Sequence, residues 1–282
     1  MPGIEDERGA SPTMSLLLDA THTKIEASKP TIGFEQPAYE DSVGWSRYLT
    51  LEGERAYLIG GDCDTCAFLF ERMGGANRNV SPEAVAGPLR DGLRRVDGRL
   101  VASVANILPG GNYRVSLLEL SPTLTTPGTR QDYFANEQVE LWATDAFWDL
   151  PHHPKTEYYR TPPVPLGEGK RLFEFLVPMF PKRWLSEKTL TAYADRLGAG
   201  DRPTALAVSV LDVRGPSTRE EGPAVTEHWC LAHYLLDGHH KTYAASLTEK
   251  PIILLSFLTM AESVATEENV NRVLEVLSAQ GK

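Results

Sequence analysis

Strand-like apolar runs alternating with helix-like stripes between residues 171 and 258 constrain the fold of this chain more than any other feature. Arg171 to Val177, Thr204 to Val213, His228 to Leu236 and Ile252 to Leu258 are near-continuous apolar runs of strand length, and a strand apolar on both faces is one covered on both sides. Between the first two, Ser186 is placed to cap a helix whose Leu190, Tyr193, Ala194 and Leu197 share one face, and Gly198 and Gly200 end it. A polar loop through Ser217 to Glu221 joins the middle pair. Between the last two, Tyr243, Ala244 and Ala245 mark a short helix that Lys250-Pro251 breaks. Thr266 then caps a closing helix with Val270, Val273, Leu274 and Leu277 along one stripe. The class expected is α/β, in the mixed α+β sense.

The first half carries weaker signals. Arg55 to Leu58 leads through Gly60-Gly61 into Cys63-Asp64-Thr65-Cys66 and the apolar Ala67 to Phe70, which fits strand or helix equally. Ser81-Pro82-Glu83 is a helix start, followed by a stripe of Val85, Leu89, Leu93 and Val96 that Gly87-Pro88 interrupts. Tyr113 to Leu120 reads as a strand; Phe134 to Leu150 is aromatic without a clean period. Thr161-Pro162-Pro163-Val164-Pro165 holds its neighbours extended and, with Leu166 to Gly169 behind it, serves as the candidate boundary. The expected organisation is a flexible tail over residues 1–30, an α+β region over 31–165 and an α/β domain over 166–282.

Composition narrows the partners. A chain of 282 residues, 41% hydrophobic and 23% charged, buries a genuine core. Its net charge of −10 opposes non-specific binding to nucleic acid. No apolar run approaches the roughly 20 residues that span a membrane. Three cysteines do not make a disulfide framework of the secreted type. The acidic start, with Glu5, Asp6 and Glu7, is unlike a secretory signal. A cytoplasmic protein is expected, with small-molecule partners and with self-association left open.

Chemistry concentrates at Asp237-Gly238-His239-His240-Lys241. A strand that ends in glycine and opens into a helix presents unpaired N–H groups at the positive end of the helix dipole, which favours an anion. Gly238 permits close backbone approach, and His240 and Lys241 add side-chain donors suited to phosphate.

The order of elements and this turn together resemble the ParB and sulfiredoxin superfamily over about residues 172 to 258. The resemblance rests on Ser186 to Leu197, on Arg202-Pro203-Thr204-Ala205-Leu206, on Leu235-Leu236-Asp237-Gly238-His239-His240-Lys241-Thr242-Tyr243-Ala244-Ala245, and on Lys250-Pro251-Ile252. Members bind nucleotides or their phosphates at the turn; they include a CTP-hydrolysing DNA-partition clamp, an ATP-using peroxiredoxin repair enzyme and free-serine kinases. The resemblance implies a C-terminal ParB/sulfiredoxin-like domain in which Gly238 is the family glycine and His240, Lys241 and Thr242 hold phosphate. His239 stands where sulfiredoxins have a catalytic cysteine and the partition proteins a glutamate. Without that cysteine, sulfinic-acid repair is not expected. The sequence also shows neither the helix-turn-helix nor the basic surface of a DNA clamp.

These observations lead to an expected nucleotide-dependent phosphotransfer enzyme, using ATP or another nucleotide with Mg²⁺ to phosphorylate or activate a small polar molecule. His239 is its candidate catalytic group, as base, phosphate acceptor or donor, or else a helix-start histidine that only bonds a loop. Asp237 is expected to hold magnesium, orient a histidine or cap the helix. The alternatives are a non-catalytic nucleotide sensor and a zinc-stabilised structural protein. For the last, Cys63 and Cys66 have the spacing of half a zinc site and His228 and Cys230, on one face of a strand, supply the other half. Buried structural thiols and a redox dithiol are the competing readings of Cys63 and Cys66. His152-His153 is expected in an exposed loop, and His233 in the core.

Overall fold

The computed structural model describes residues 14–26, 29–37, 46–80, 82–217 and 225–280. Ser81, the proposed helix cap, and most of the loop through Glu221 lie outside the described residues. The first half contains β1 (Leu16–Ile25), β2 (Ile32–Glu35), β3 (Ser46–Leu51), β4 (Glu54–Gly61), β5 (Glu71–Arg72), α1 (Ala86–Asp91), α2 (Gly98–Ala105), β6 (Gly111–Leu120), β7 (Thr123–Thr125), α3 (Val139–Trp142) and β8 (Tyr158–Arg160). The second contains β9 (Val164–Gly167), β10 (Lys170–Pro178), α4 (Glu187–Gly198), β11 (Thr204–Arg214), β12 (Glu227–Asp237), α5 (His239–Thr248), β13 (Ile252–Thr259) and α6 (Glu267–Ala279). The mixed α/β class is as expected.

A nine-stranded mixed sheet runs β1-β6-β13-β11-β12-β10-β8-β7, with β9 on β10. β10 lies parallel to β12 and β11 parallel to β13, while β11–β12, β6–β13 and β1–β6 are antiparallel. The central strands are buried on both faces, as their unbroken apolar sequence requires. One face carries Phe173, Phe175, Val208, Tyr234 and Phe257 and meets Leu49, Leu51, Tyr57 and Ile59 of the antiparallel sheet β2-β3-β4-β5. The other carries Leu172, Leu176, Leu235 and Leu254 and meets Leu197 of α4, Ala244 and Ala245 of α5, and Val270, Val273 and Leu277 of α6. α6 starts in a capping box between Thr266 and Asn269.

The large sheet is strongly coiled. In strand order, β1 and β10 stand five steps apart, roughly 24 Å in a flat sheet. Yet the Ser15 hydroxyl, just before β1, donates to Glu174 of β10. Glu174 also accepts from Thr161 at 2.8 Å and pairs with His233 Nε2 at 3.1 Å, while Ser209 meets His233 Nδ1 at 2.7 Å and Ser256 at 2.8 Å. A fully buried polar thread therefore crosses β13, β11, β12 and β10. His233 is a core histidine, as expected, and its ring is held at both nitrogens.

Several expectations are corrected. Residues 16–25, assigned to the tail, form β1; this edge strand exposes most of one face, so its sequence lacks a strong apolar pattern. The proline-rich stretch near 161–165 lies within the sheet, because β8 and β9 on either side of it both pair with β10. The helix after residue 82 stops at Asp91 before reaching Leu93. Gly92 turns at φ +89° against the Arg202 carbonyl, where a Cβ would sit 2.3 Å from the oxygen. Ala67 to Phe70 is neither strand nor helix but an extended loop that buries Phe68 and Phe70 among Phe134, Tyr158 and Phe175. His152 is buried: its ring bonds the Phe70 carbonyl at 3.0 Å and its N–H the Gln138 side chain at 2.8 Å.

Candidate functional site

The β12–α5 turn forms as expected, but most of its polar groups are spent within the protein. Gly238 adopts φ +98° and caps α5. A Cβ there would lie 2.6 Å from the Ala205 Cβ and 2.8 Å from its Cα, so glycine is demanded by the approach of β11. Lys241 is buried and donates to the Thr204 carbonyl at 2.8 Å and to Asp237 at 2.9 Å. Burial lowers its pKa against the opposing pull of Asp237. Thr242 is fully buried and its hydroxyl has no partner among the described residues. Asp237 is thus engaged by Lys241, with its side chain 19% exposed.

The two histidines tie the turn to the segment after β10. His239 Nε2 accepts the Met179 N–H at 2.9 Å, and its ring stacks on Phe180 with centroids 3.8 Å apart. Burial, helped by His240 and Lys241, pushes its pKa down to about 3, so the ring is neutral near pH 7. With Nε2 accepting, the proton sits on Nδ1, the nitrogen left to donate. His240 Nε2 accepts the Ser186 N–H at 2.9 Å, which ties α5 to the cap of α4.

His239 forms part of the wall of a cleft of about 250 Å³ beside the turn. Arg72 of β5, Lys155, Thr156 and Glu157 before β8, Tyr159 of β8, and Phe180, Lys182 and Arg183 after β10 are among its other lining residues. Four cationic side chains thus gather around one carboxylate in a chain of net charge −10. Lys182 lies 3.6 Å from Glu157 and 5.0 Å from the Tyr243 ring centre. Although burial opposes its charge, Tyr243 and Glu157 hold its pKa above the ordinary value. Lys155 pairs with Glu71, whose hydrogen bond raises the lysine pKa. Among the described residues Arg183 has no ion pair and the buried Nε of Arg72 has no hydrogen-bond partner, while the Arg72 Nη2 donates to the Ala76 carbonyl and to Asn77. These cations are scattered through the sequence; the only local signal is Lys182-Arg183, placed directly after a buried strand.

The residues considered for zinc stand as two separate pairs. Cys63 and Cys66 are joined as a disulfide, with Cα atoms 5.6 Å apart. His228 and Cys230 share a face, as expected, and converge on the Tyr133 hydroxyl at 2.8 and 3.6 Å. Among the described residues no three His, Cys, Asp or Glu side chains are grouped to hold a metal ion. Nor is any described helix long and apolar enough to cross a membrane. Comparisons with family models, curated proteins and solved structures find no match.

Proposed function

We propose that the chain is a nucleotide-dependent phosphotransfer enzyme for a small polar molecule, with the phosphates held in the cleft beside His239. The observation that carries this reading is the gathering of Arg72, Lys155, Lys182 and Arg183 around a concave site in an otherwise acidic protein. At about 250 Å³ the cleft lies just below the common range for ligand sites, about 300 to 1,000 Å³. It suits a phosphate chain with the nucleoside reaching outward.

In this reading Lys182 and Arg183 neutralise charge on the transferred phosphoryl group, and His239 donates through Nδ1–H. The imidazole is a poor base, because its lone pair is occupied by the Met179 N–H and burial keeps its pKa at about 3. Glu157, the carboxylate on the cleft wall, takes the proton of the substrate hydroxyl instead. A magnesium ion would arrive on the nucleotide phosphates with its own waters, in keeping with the few protein ligands such ions need, and would supply further neutralisation of phosphate charge.

The test is thermal unfolding with ATP, ADP, CTP and GTP, each with and without magnesium. A ligand at a hundredfold its dissociation constant adds about 2.7 kcal/mol, an upward shift of roughly 5 to 10 °C. No shift with any nucleotide at millimolar concentration overturns the reading.

A further inference from the structure

The loop between β4 and β5 is more tightly fixed than its exposure suggests. Asp64, Thr65 and Cys66 are exposed and Cys63 is half-buried. The loop carbonyls, in contrast, are held from below. Arg214 donates to the carbonyls of Gly61, at 2.8 Å, and Cys63. The Gly215 N–H donates to Asp64 O at 2.9 Å, and Trp142 Nε1 to Thr65 O at 3.2 Å. Arg214 is itself fully buried and shares Asp212 with Arg47, which is 4% exposed.

Two consequences follow for the sulfurs. A clamped backbone keeps Cys63 and Cys66 adjacent when the bond between them is open, so closure is intramolecular at high effective concentration. The buried cluster sets the guanidinium groups of Arg47 and Arg214 against Asp212, with the half-buried Glu262 carboxyl near the Arg47 end, and its Arg214 end touches the Cys63 carbonyl. A positive charge beside a cysteine favours its thiolate and makes it a better leaving group. The acids beside it, Asp62 and Asp64, lie on the exposed side, and Asp62 is engaged by Gln36 at 2.7 Å.

We propose that Cys63 and Cys66 form a thiol–disulfide exchange site for dithiol partners, in which Cys66 is the sulfur attacked and Cys63 the leaving and resolving thiol. A thiolate of the partner attacks Cys66 Sγ, the Cys63–Cys66 bond breaks, and Cys63 departs as thiolate. The second partner thiol then attacks the partner sulfur of the mixed disulfide and releases Cys66. Two electrons and two protons pass to the protein, and the partner leaves as its own disulfide. The site is independent of the phosphate cleft, and its failure leaves that reading untouched.

The experiment treats the air-oxidised, folded full chain with dithiothreitol, followed by alkylation and peptide mass spectrometry. Cys63 and Cys66 should become alkylated together without denaturant, and buried Cys230 should stay unmodified. The oxidised chain is then reacted briefly with reduced glutathione, quenched in acid and trapped with N-ethylmaleimide at low pH: the glutathione should sit on Cys66, with Cys63 alkylated as the departed thiol, in about tenfold excess over the reverse adduct. The proposal is overturned if the bond yields to dithiothreitol only in denaturant, if both thiols are free in air-equilibrated protein, if stoichiometric zinc occupies them, or if glutathione is found equally on the two cysteines or chiefly on Cys63.

Discussion

Replacing Gly238 by alanine separates a glycine kept for packing from one kept for a ligand. The residue sits at φ +98°, ψ 15°, where an L side chain costs roughly 1 to 2 kcal/mol. The new methyl would meet the Ala205 Cβ at 2.6 Å and the Ala205 Cα at 2.8 Å, about 1 Å inside ordinary carbon–carbon separation. The second atom is backbone of a central strand and cannot step aside as a side-chain tip would. Overpacking of this kind adds about 1 to 3 kcal/mol. The smaller conformational freedom of alanine in the unfolded chain returns about 0.4 to 1. The net expectation is a loss of about 2 to 4 kcal/mol, read as a fall in Tm of roughly 5 to 15 °C. Ala205→Gly in the same chain should restore part of it, since it removes the clash with the Ala205 methyl and leaves the clash with the strand backbone. Thermal and urea unfolding of the two single variants and the double variant measure the coupling. A Gly238→Ala protein as stable as the parent would refute the packing argument. If that stable variant also failed to bind nucleotide, the glycine would be one that admits a ligand.

Acid should weaken the fold well above the carboxylate range. Burial pushes the pKa of His228 and of His239 down to about 3, below the ordinary value near 6.5, so as pH falls the unfolded chain takes up these protons first. The stability is present above pH 6.5 and is lost progressively toward pH 3; between pH 7 and 5 the loss is about 2 kcal/mol per ring, or about 4 for both. Urea unfolding at the two pH values checks this, and His239→Gln should remove about 2 kcal/mol of the difference; an unchanged pH dependence would contradict it. Glu157→Gln should lower kcat of a nucleotide-consuming reaction by about 10² to 10⁴ while sparing nucleotide affinity. Equal turnover by both proteins, measured at saturating nucleotide, would remove Glu157 as the base.

Residues 170–280 are legible in sequence because their elements are local. Unbroken apolar runs set β10 to β13, and Thr266 and Lys250-Pro251 punctuate the helices. What escaped was tertiary. β1 is half exposed at an edge, and Phe68 and Phe70 are buried by neighbours on distant strands, so neither leaves a period. The turn was legible as a backbone shape, but its function was not. Whether Lys241 meets a ligand or the Thr204 carbonyl depends on a strand more than thirty residues away. The cleft cations at 72, 155, 182 and 183 come from one short strand and two connections, and only folding brings them together.

The most direct test of the phosphate cleft is calorimetric titration of magnesium–ATP, and of whichever nucleotide stabilises best, into the parent and into Lys182→Ala/Arg183→Ala. Each lost charge-assisted hydrogen bond is worth about 1.5 to 3 kcal/mol, so the double variant should bind about 10² to 10⁴ times more weakly, with its Tm without ligand nearly unchanged. Parent binding retained at full strength by the double variant would contradict the account.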